Sequence, residues 1–161
     1  MAETLQLRGL TSSDREPIER LLAATGFFSE SELAVALQVV DEGLGAQGDD
    51  PYMFVVAEHD GELAGYACFG SVPGSRADWD LYWIAVDARL QGRGIGRELL
   101  RAAVEQARAA GAARVLIETA SKPLYAPTRE FYERAGAELI GRQPDHYATG
   151  DDKLVYAIRT R

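Results

Sequence analysis

The stretch Leu81-Tyr-Trp-Ile-Ala-Val-Asp-Ala-Arg-Leu-Gln-Gly-Arg-Gly-Ile-Gly-Arg-Glu-Leu-Leu100 is an apolar run that ends in a glycine-rich turn and then opens an amphipathic helix. The first turn of a helix leaves backbone N–H groups without intrahelical partners, and the aligned peptide dipoles make that end electropositive, so anions are drawn to it. Gly92, Gly94 and Gly96 alternate with larger residues. With no Cβ at these positions a diphosphate can approach the main chain while the backbone takes up angles that other residues avoid. The stretch reads as strand, phosphate-binding turn and helix. Two familiar phosphate motifs are excluded. The dinucleotide fingerprint G-x-G-x-x-G needs glycine where Arg97 stands, and a P-loop needs Gly-Lys-Ser/Thr, whereas the only lysines are Lys122 and Lys153.

A chain of 161 residues is long enough to bury one core, so a single domain over residues 1–161 is expected. The hydrophobic share of 47% and charged share of 26% exclude a disordered or fibrous chain. The first eight residues lack the apolar core of a signal peptide, and no run of eighteen apolar residues occurs, which predicts a cytoplasmic protein that does not engage a membrane. Cys68 has no second cysteine to pair with and reads as core packing; His59 and His146 offer no zinc spacing, so no metal is expected. The net charge of −8 disfavours nucleic acid and anionic membrane. A phosphate-bearing ligand then needs basic charge concentrated locally. Arg93, Arg97 and Arg101 recur every four residues along one side of the helix, with Arg89 just before it. Arg93, inside the turn, reads as a ligand contact and Arg101 as a solvated face.

Along the chain, residues 5–7 read as a first strand, and Thr11-Ser-Ser-Asp14 as the cap of a helix over 15–24 that buries Ile18, Leu21 and Leu22 and stops at Gly26. Ser29-Glu-Ser-Glu32 caps a second helix through residue 40, followed by a loop over 43–51. Residues 53–57 and 63–69 form a hairpin about Asp60-Gly61. After a connection over 72–77 come a strand over 79–86, a helix over 94–110, a strand over 115–119 and a helix from Pro127 or Thr128 to 135, ended by Gly136. Two last strands, 138–140 and 154–158, flank a polar loop. The order predicts an α/β fold, a mixed, largely antiparallel sheet of about seven strands with about four helices.

Gln91-Gly92-Arg93-Gly94-Ile95-Gly96 fits the pattern Gln/Arg-x-x-Gly-x-Gly/Ala and resembles the acetyl-CoA loop of the GNAT (Gcn5-related) N-acetyltransferases. About forty residues on, Phe131-Tyr132-Glu-Arg-Ala-Gly136 is similar to that family's Phe-Tyr-x-x-x-Gly helix. The order of elements agrees over nearly the whole chain. The resemblance implies the GNAT acyl-CoA N-acyltransferase fold and transfer of an acetyl group from acetyl-CoA, a co-substrate, to a primary amine by direct attack through a tetrahedral intermediate. It also implies that Gln91, Gly92, Arg93, Gly94, Ile95, Gly96 and Arg97 hold the diphosphate, and that the main chain of Ile84, Ala85 and Val86 bonds the pantetheine arm where the fourth and fifth strands part. An N–H at Val86 or its neighbour, exposed by a bulge, would meet the oxyanion. Tyr132 matches the tyrosine that many members place beside the sulfur of the cofactor. Where many members have an asparagine that bonds the pantetheine arm, Tyr125 stands here; Thr128 could supply a hydroxyl instead, or Tyr125 could pack on the cofactor.

A lysine-like amine is almost wholly protonated at neutral pH, and freeing its lone pair costs about 4.6 kcal/mol, so a base is useful. Glu118 and Asp80 are the carboxylates best placed on the fifth and fourth strands, with Glu58 a weaker choice. The acceptor face implied by the resemblance carries Phe27, Phe28, Glu30 and Glu32 with Asp145-His146-Tyr147 and Gly150-Asp-Asp152, residues that suit a cationic amine: a small molecule, an amino acid or a peptide N-terminus. Two other classes stay open, a non-catalytic acyl-CoA-binding sensor or interaction module, and an unrelated binder of nucleotide phosphate. The last strands are edges at which a homodimer could form.

Overall fold

The computed structural model describes residues 4–45 and 52–161. Strands are β1 (Leu5–Arg8), β2 (Met53–His59), β3 (Glu62–Ser71), β4 (Asp78–Val86), β5 (Arg114–Ala120), β6 (Glu138–Ala148) and β7 (Asp151–Arg159); helices are α1 (Arg15–Thr25), α2 (Glu30–Gly45), α3 (Ile95–Ala109) and α4 (Ala126–Arg134). Short 3-10 turns occupy Ser12–Asp14, Ala88–Leu90 and Pro123–Tyr125. The strands form a mixed seven-stranded sheet in the order β1-β2-β3-β4-β5-β7-β6, with β4 and β5 parallel. Contacts divide the chain into two compact units, Met1–Gly70 with Trp83–Ala103, and Ser71–Tyr82 with Val104–Arg161. Among the described residues no helix is long and apolar enough to cross a membrane.

In the first unit, β1, β2 and β3 pair antiparallel. Ile18, Leu21 and Leu22 of α1 and Ala36, Val39 and Val40 of α2 pack with Val56, Tyr66, Cys68 and Ala85 into one core. Cys68 is fully buried there. The Trp83 indole N–H donates to the Tyr66 hydroxyl, so this buried phenol has a partner. α1 stops at Gly26, where φ is 71°, as its glycine predicts. α2 runs to Gly45, five residues past its expected end, because Leu44 packs on the core and Arg15 of α1 holds Asp41 at 2.6 Å. The rest of the expected loop, 46–51, lies outside the described residues.

Asp14 stands at the N-cap of α1, as expected, but its side chain makes no hydrogen bond to that helix. Asp14 closes a separate 3-10 turn, its carboxylate accepting the Thr11 N–H at 2.8 Å and both terminal nitrogens of Arg8 at 2.7 Å, while Arg8 Nε donates to Glu58 at 2.6 Å. This network ties β1, β2 and the entry to α1 together. Burial alone would push the Asp14 carboxyl up, but the Arg8 guanidinium and the Thr11 hydrogen bonds outweigh it and hold it below its ordinary value.

In the second unit, the β4 ladder with β5 runs from Asp78–Arg114 to Leu81–Ile117, and β5 pairs antiparallel with β7. Val115, Ile117, Leu154, Tyr156 and Ile158 face a common buried side, and the Tyr156 hydroxyl donates to Glu133 of α4 at 2.9 Å. The polar loop expected between the last two strands is instead a long hairpin: β6 continues to Ala148 and β7 begins at Asp151. β6 is an edge strand exposed on both faces, so it has no apolar alternation to betray it, and an edge tolerates Pro144 within it.

Asp14→Asn leaves Arg8 half-buried without its anionic partner and should cost about 3 kcal/mol at neutral pH, read from the shift of the urea midpoint. Because the folded state depresses this pKa, the stabilisation is complete above the ordinary carboxylate value and is lost as pH falls through the lowered one. The difference between wild type and variant should therefore shrink in acid.

Candidate active site

Within the first unit the end of β4 leads through the 3-10 turn at Ala88–Leu90 into the glycine turn and α3. Asp87 caps that 3-10 turn by accepting the Arg89 backbone N–H at 2.9 Å. Gln91 reaches back so that its Nε2 donates to the Val86 carbonyl at 3.4 Å. Gly92 and Gly94 adopt φ of 81° and 82°, the left-handed region that other residues enter only with strain. The Glu98 N–H donates to the Gly94 carbonyl at 3.1 Å, which makes Gly94 the N-cap and leaves the N–H groups of Ile95, Gly96 and Arg97 with no carbonyl four residues back in the helix. Residues 91–94 are exposed. The basic stripe is not uniform: Arg89 is held by Asp87 at 2.8 Å and Arg101 by Glu98 at 2.5 Å. These two neutralise local carboxylates, while Arg93 stands in the exposed turn and Arg97 in the first turn of α3.

Ile84, Ala85 and Val86 end β4 in this unit, and one feature of their placement is absent from any sequence motif. A Cβ built on Gly65 of β3 would lie 2.6 Å from the Ala85 carbonyl oxygen and 3.2 Å from Val86 Cα, so only glycine lets the two strands approach this closely. The preceding residue, Ala64, is a bulge in β3, since Gly65 faces Ala57 and Leu63 faces Glu58. Its carbonyl accepts the Asp87 N–H at 2.8 Å. Asp87 therefore has its donor committed, whereas Val86 precedes this anchor.

The second unit gathers Asp80, Glu118, Tyr125, Thr128 and Tyr132. Asp78 and Asp80 alternate along β4 on one face of the sheet, opposite Arg114 and Leu116 of β5, with Glu118 one step further on the same face. Three carboxylates so placed differ in what holds them. Asp78 is bound by Arg114 at 2.6 Å, and Glu118, more than half exposed, lies 3.7 Å from Lys153. Asp80 makes no ion pair among the described residues. Desolvation, then the charges of Glu118 and Asp78, push its carboxyl above the ordinary range.

On α4, Tyr132 is 6% exposed and its hydroxyl makes no hydrogen bond among the described residues. Burial pushes the phenol up to about 12. Thr128 lies one turn earlier on the same helical face. Tyr125 ends the preceding 3-10 turn with the Lys122 ammonium 5.3 Å from its ring centre. Arg129 fixes this entry by donating to the carbonyls of Ala120 at 2.8 Å and Lys122 at 3.0 Å.

The β6–β7 hairpin adds residues whose relation to this face is invisible in the linear chain. Asp151, buried, accepts the Lys122 N–H at 3.1 Å, and the Asp152 N–H donates to Ser121 Oγ at 2.7 Å. Tyr147 is pushed up by burial and by the charges of Glu118 and Asp151, with Tyr125 also close. Strand register thus sets Lys153 beside Glu118, and Tyr147 lies within the electrostatic reach of Glu118, Asp151 and Tyr125. Among the described residues no three or more His, Cys, Asp or Glu cluster as metal ligands.

A model of the acetyltransferase (GNAT) family matches residues 16–137. No curated protein matches the sequence. Among solved structures, a Desulfovibrio desulfuricans protein assigned to the GNAT acetyltransferases is 39% identical, with a TM-score of 0.92 over 99% of this chain and 100% of that one. The Escherichia coli ribosomal-protein-S18-alanine N-acetyltransferase is 22% identical, with a TM-score of 0.76 over 98% of this chain and 94% of that one. A Salmonella typhimurium protein solved with acetyl-CoA is 20% identical, with a TM-score of 0.75 over 98% of this chain and 95% of that one. The last two are likenesses of fold.

Gly65→Ala forces its new methyl against the Ala85 carbonyl and should cost about 1–3 kcal/mol. The check is the urea midpoint together with amide chemical shifts, whose changes should concentrate at residues 85–87; an unshifted β4 end would show that the close approach is not needed.

Proposed function

The chain belongs to the acetyltransferase (GNAT) family, and from that premise we propose that residues 1–161 form one catalytic domain that transfers the acetyl group of acetyl-CoA to a primary amine. The observation that carries catalysis, rather than binding alone, is Asp80: among the carboxylates of its face it alone lacks a cation, and its carboxyl is raised toward the range useful to a base. A sensor that only held acyl-CoA would have no use for such a group.

Acetyl-CoA fits the residues present. The N–H groups of Ile95, Gly96 and Arg97, with the side chains of Arg93 and Arg97, receive the diphosphate at the electropositive end of α3. Gln91 and the left-handed Gly92 and Gly94 shape that turn. Main-chain groups of Ile84, Ala85 and Val86 take the pantetheine amides, and Thr128 or the ring of Tyr125 supplies the contact for which many relatives use asparagine. The Val86 N–H is the oxyanion donor, since that of Asp87 is bound to Ala64.

In the reaction the amine loses a proton to Asp80, directly or through water, and attacks the thioester carbon. The carbonyl oxygen gains the negative charge that the Val86 N–H stabilises. The attacking nitrogen gives up its second proton to water, collapse of the tetrahedral intermediate breaks the C–S bond, and the Tyr132 hydroxyl donates a hydrogen bond to the departing thiolate, which then takes a proton from water. Glu118, tied to Lys153, acts on the field at Asp80 instead of taking the proton. The acidic and aromatic groups of the second unit, Glu118, Tyr147 and Tyr125, favour a cationic acceptor, whether a small amine, an amino acid or a peptide N-terminus.

The test is thiol release from acetyl-CoA by the purified protein against amino acids, polyamines, amino sugars and short peptides, with an enzyme-free blank. Release should depend on one amine class; none from any amine, with acetyl-CoA bound, would favour the sensor. Tyr132→Phe should lower turnover at least about tenfold with little change in acetyl-CoA affinity, because the lost interaction forms with the leaving group.

Asp80 works as a base only when ionised, so kcat/KM should rise with pH through a limb above the ordinary carboxylate range. Asp80→Asn should remove that limb and lower kcat/KM by about a hundredfold at neutral pH. A limb that survives in this variant would move the base to Glu118.

A further inference from the structure

The outer part of the β6–β7 hairpin is not a regular ladder. Gln143 pairs with Lys153, so an unbroken register would set residue 145 across from Asp151; Ala148 stands there instead, and β6 carries three residues more than β7 requires. An insertion of this kind re-aims side chains, and its backbone groups, having left the ladder, need other partners. Asp152 and Asp145 supply them. One Asp152 carboxylate oxygen accepts the Asp145 N–H at 2.9 Å and the other accepts Arg142 Nη1 at 3.1 Å, while Asp145 Oδ1 accepts the Gly150 N–H at 2.7 Å. Asp145 takes a φ of 55° in this closure, a left-handed conformation that aspartate enters more readily than most residues but still at a cost. Asp152 is itself fixed to the end of β5: its N–H donates to Ser121 Oγ at 2.7 Å and its carbonyl accepts the Ser121 N–H at 2.9 Å.

The inserted segment carries His146 and Tyr147, whose rings meet edge to face at 4.7 Å between centres. Tyr147 is 49% exposed, so core packing does not account for its position. Burial of the remainder, then the charges of Glu118, Asp151 and Tyr125, raise its phenol above the ordinary value, which puts the side chain on the face that carries Glu118. We propose that Asp152 is a positioning residue and Tyr147 a specificity-determining one: the Asp152 carboxylate, acting through Asp145, holds the inserted segment so that the Tyr147 ring stands beside Glu118 and packs on the cationic group of the acceptor. The assignment rests on the acetyl transfer proposed above and deepens it. The ring offers the negative face of its quadrupole to an ammonium, and Glu118 offers the countercharge. The left-handed turn at Asp145 is the kind of local cost that persists where surrounding bonds over-determine it, and here those bonds run through one carboxylate, that of Asp152.

The experiment compares Asp152→Ala with Asp152→Asn, which keeps an oxygen for the Asp145 N–H, so that both lose the charge and only the first loses the hydrogen bond. With the amine that supports thiol release, Asp152→Ala and Tyr147→Ala should each raise the acceptor KM about tenfold and the acetyl-CoA KM less than about twofold. The double variant should be no worse than either, because both remove the same contact. Asp152→Asn should recover most of the loss. A second readout needs no turnover: NMR of isotopically labelled tyrosine rings, with Tyr147 assigned by the signal missing in Tyr147→Phe. The Tyr147 phenol should titrate nearer its ordinary value in Asp152→Ala than in Asp152→Asn, as the released ring leaves the burial and the charges that raise it. Thermal melts check that each variant is folded. Additive losses in the double variant, an acetyl-CoA KM that rises with the acceptor KM, or a Tyr147 titration alike in the two Asp152 variants would overturn the proposal. Failure of every amine to release thiol would sink the acetyltransferase reading, and with it the acceptor contact, while the titration would still decide whether Asp152 places the ring.

Discussion

A helix that begins in a left-handed glycine turn must present unsatisfied N–H groups to whatever lies before it, and in this chain that constraint organises the first unit. Gly92 and Gly94 bring the backbone out of the 3-10 turn and into α3 with the N–H groups of Ile95, Gly96 and Arg97 facing outward. The turn can hold that position only because the strand feeding it is fixed. Gly65 admits the end of β4 at van der Waals limits, the bulged Ala64 anchors Asp87, and Gln91 bridges back to Val86. Remove the glycine and the anchoring carbonyl no longer meets the strand it holds.

The charge distribution follows from the same requirement. A chain of net charge −8 that receives a polyanion has to keep its own carboxylates from competing for the receiving arginines. Asp87 and Glu98 flank the turn, and each is matched by a dedicated arginine, Arg89 and Arg101. Of the four arginines read from the sequence, Arg89 and Arg101 are thus engaged in neutralising pairs beside the turn. In the second unit the allocation runs the other way: Arg114 and Lys153 take two carboxylates of one face and leave Asp80 desolvated beside their residual charge.

What was legible in the sequence depended on how local the cause was. α1 and α3, the Asp60-Gly61 hairpin and the ordering of seven strands all follow from apolar period and turn chemistry within a few residues. The extension of α2 was not legible, because Leu44 and Asp41 matter only against α1 and the core. Nor was the length of β6, since a strand exposed on both faces has no alternation to read. The loop and Tyr132 could be picked out by motif, and Asp80 and Glu118 by residue type. What separates those two carboxylates is the position of Lys153 and Arg114, a matter of strand register between β5, β7 and β4 that no local pattern encodes.

In the proposed reaction, the burial of Tyr132 decides which role its hydroxyl would play. A phenol of ordinary acidity would lose about 2 kcal/mol in giving its proton to a thiolate of thiol pKa near 8.5. With burial raising it to about 12, the gap grows to roughly 3.5 pH units, or about 5 kcal/mol. Complete transfer would then add a barrier of the same order as the cost of deprotonating the amine. A hydrogen bond carries no such cost, and its strength toward a charged acceptor increases in the same low-dielectric surroundings that raise the pKa. The burial that makes Tyr132 a poor acid would therefore make it a good donor to the thiolate of the proposed reaction, which takes its proton from water after it leaves.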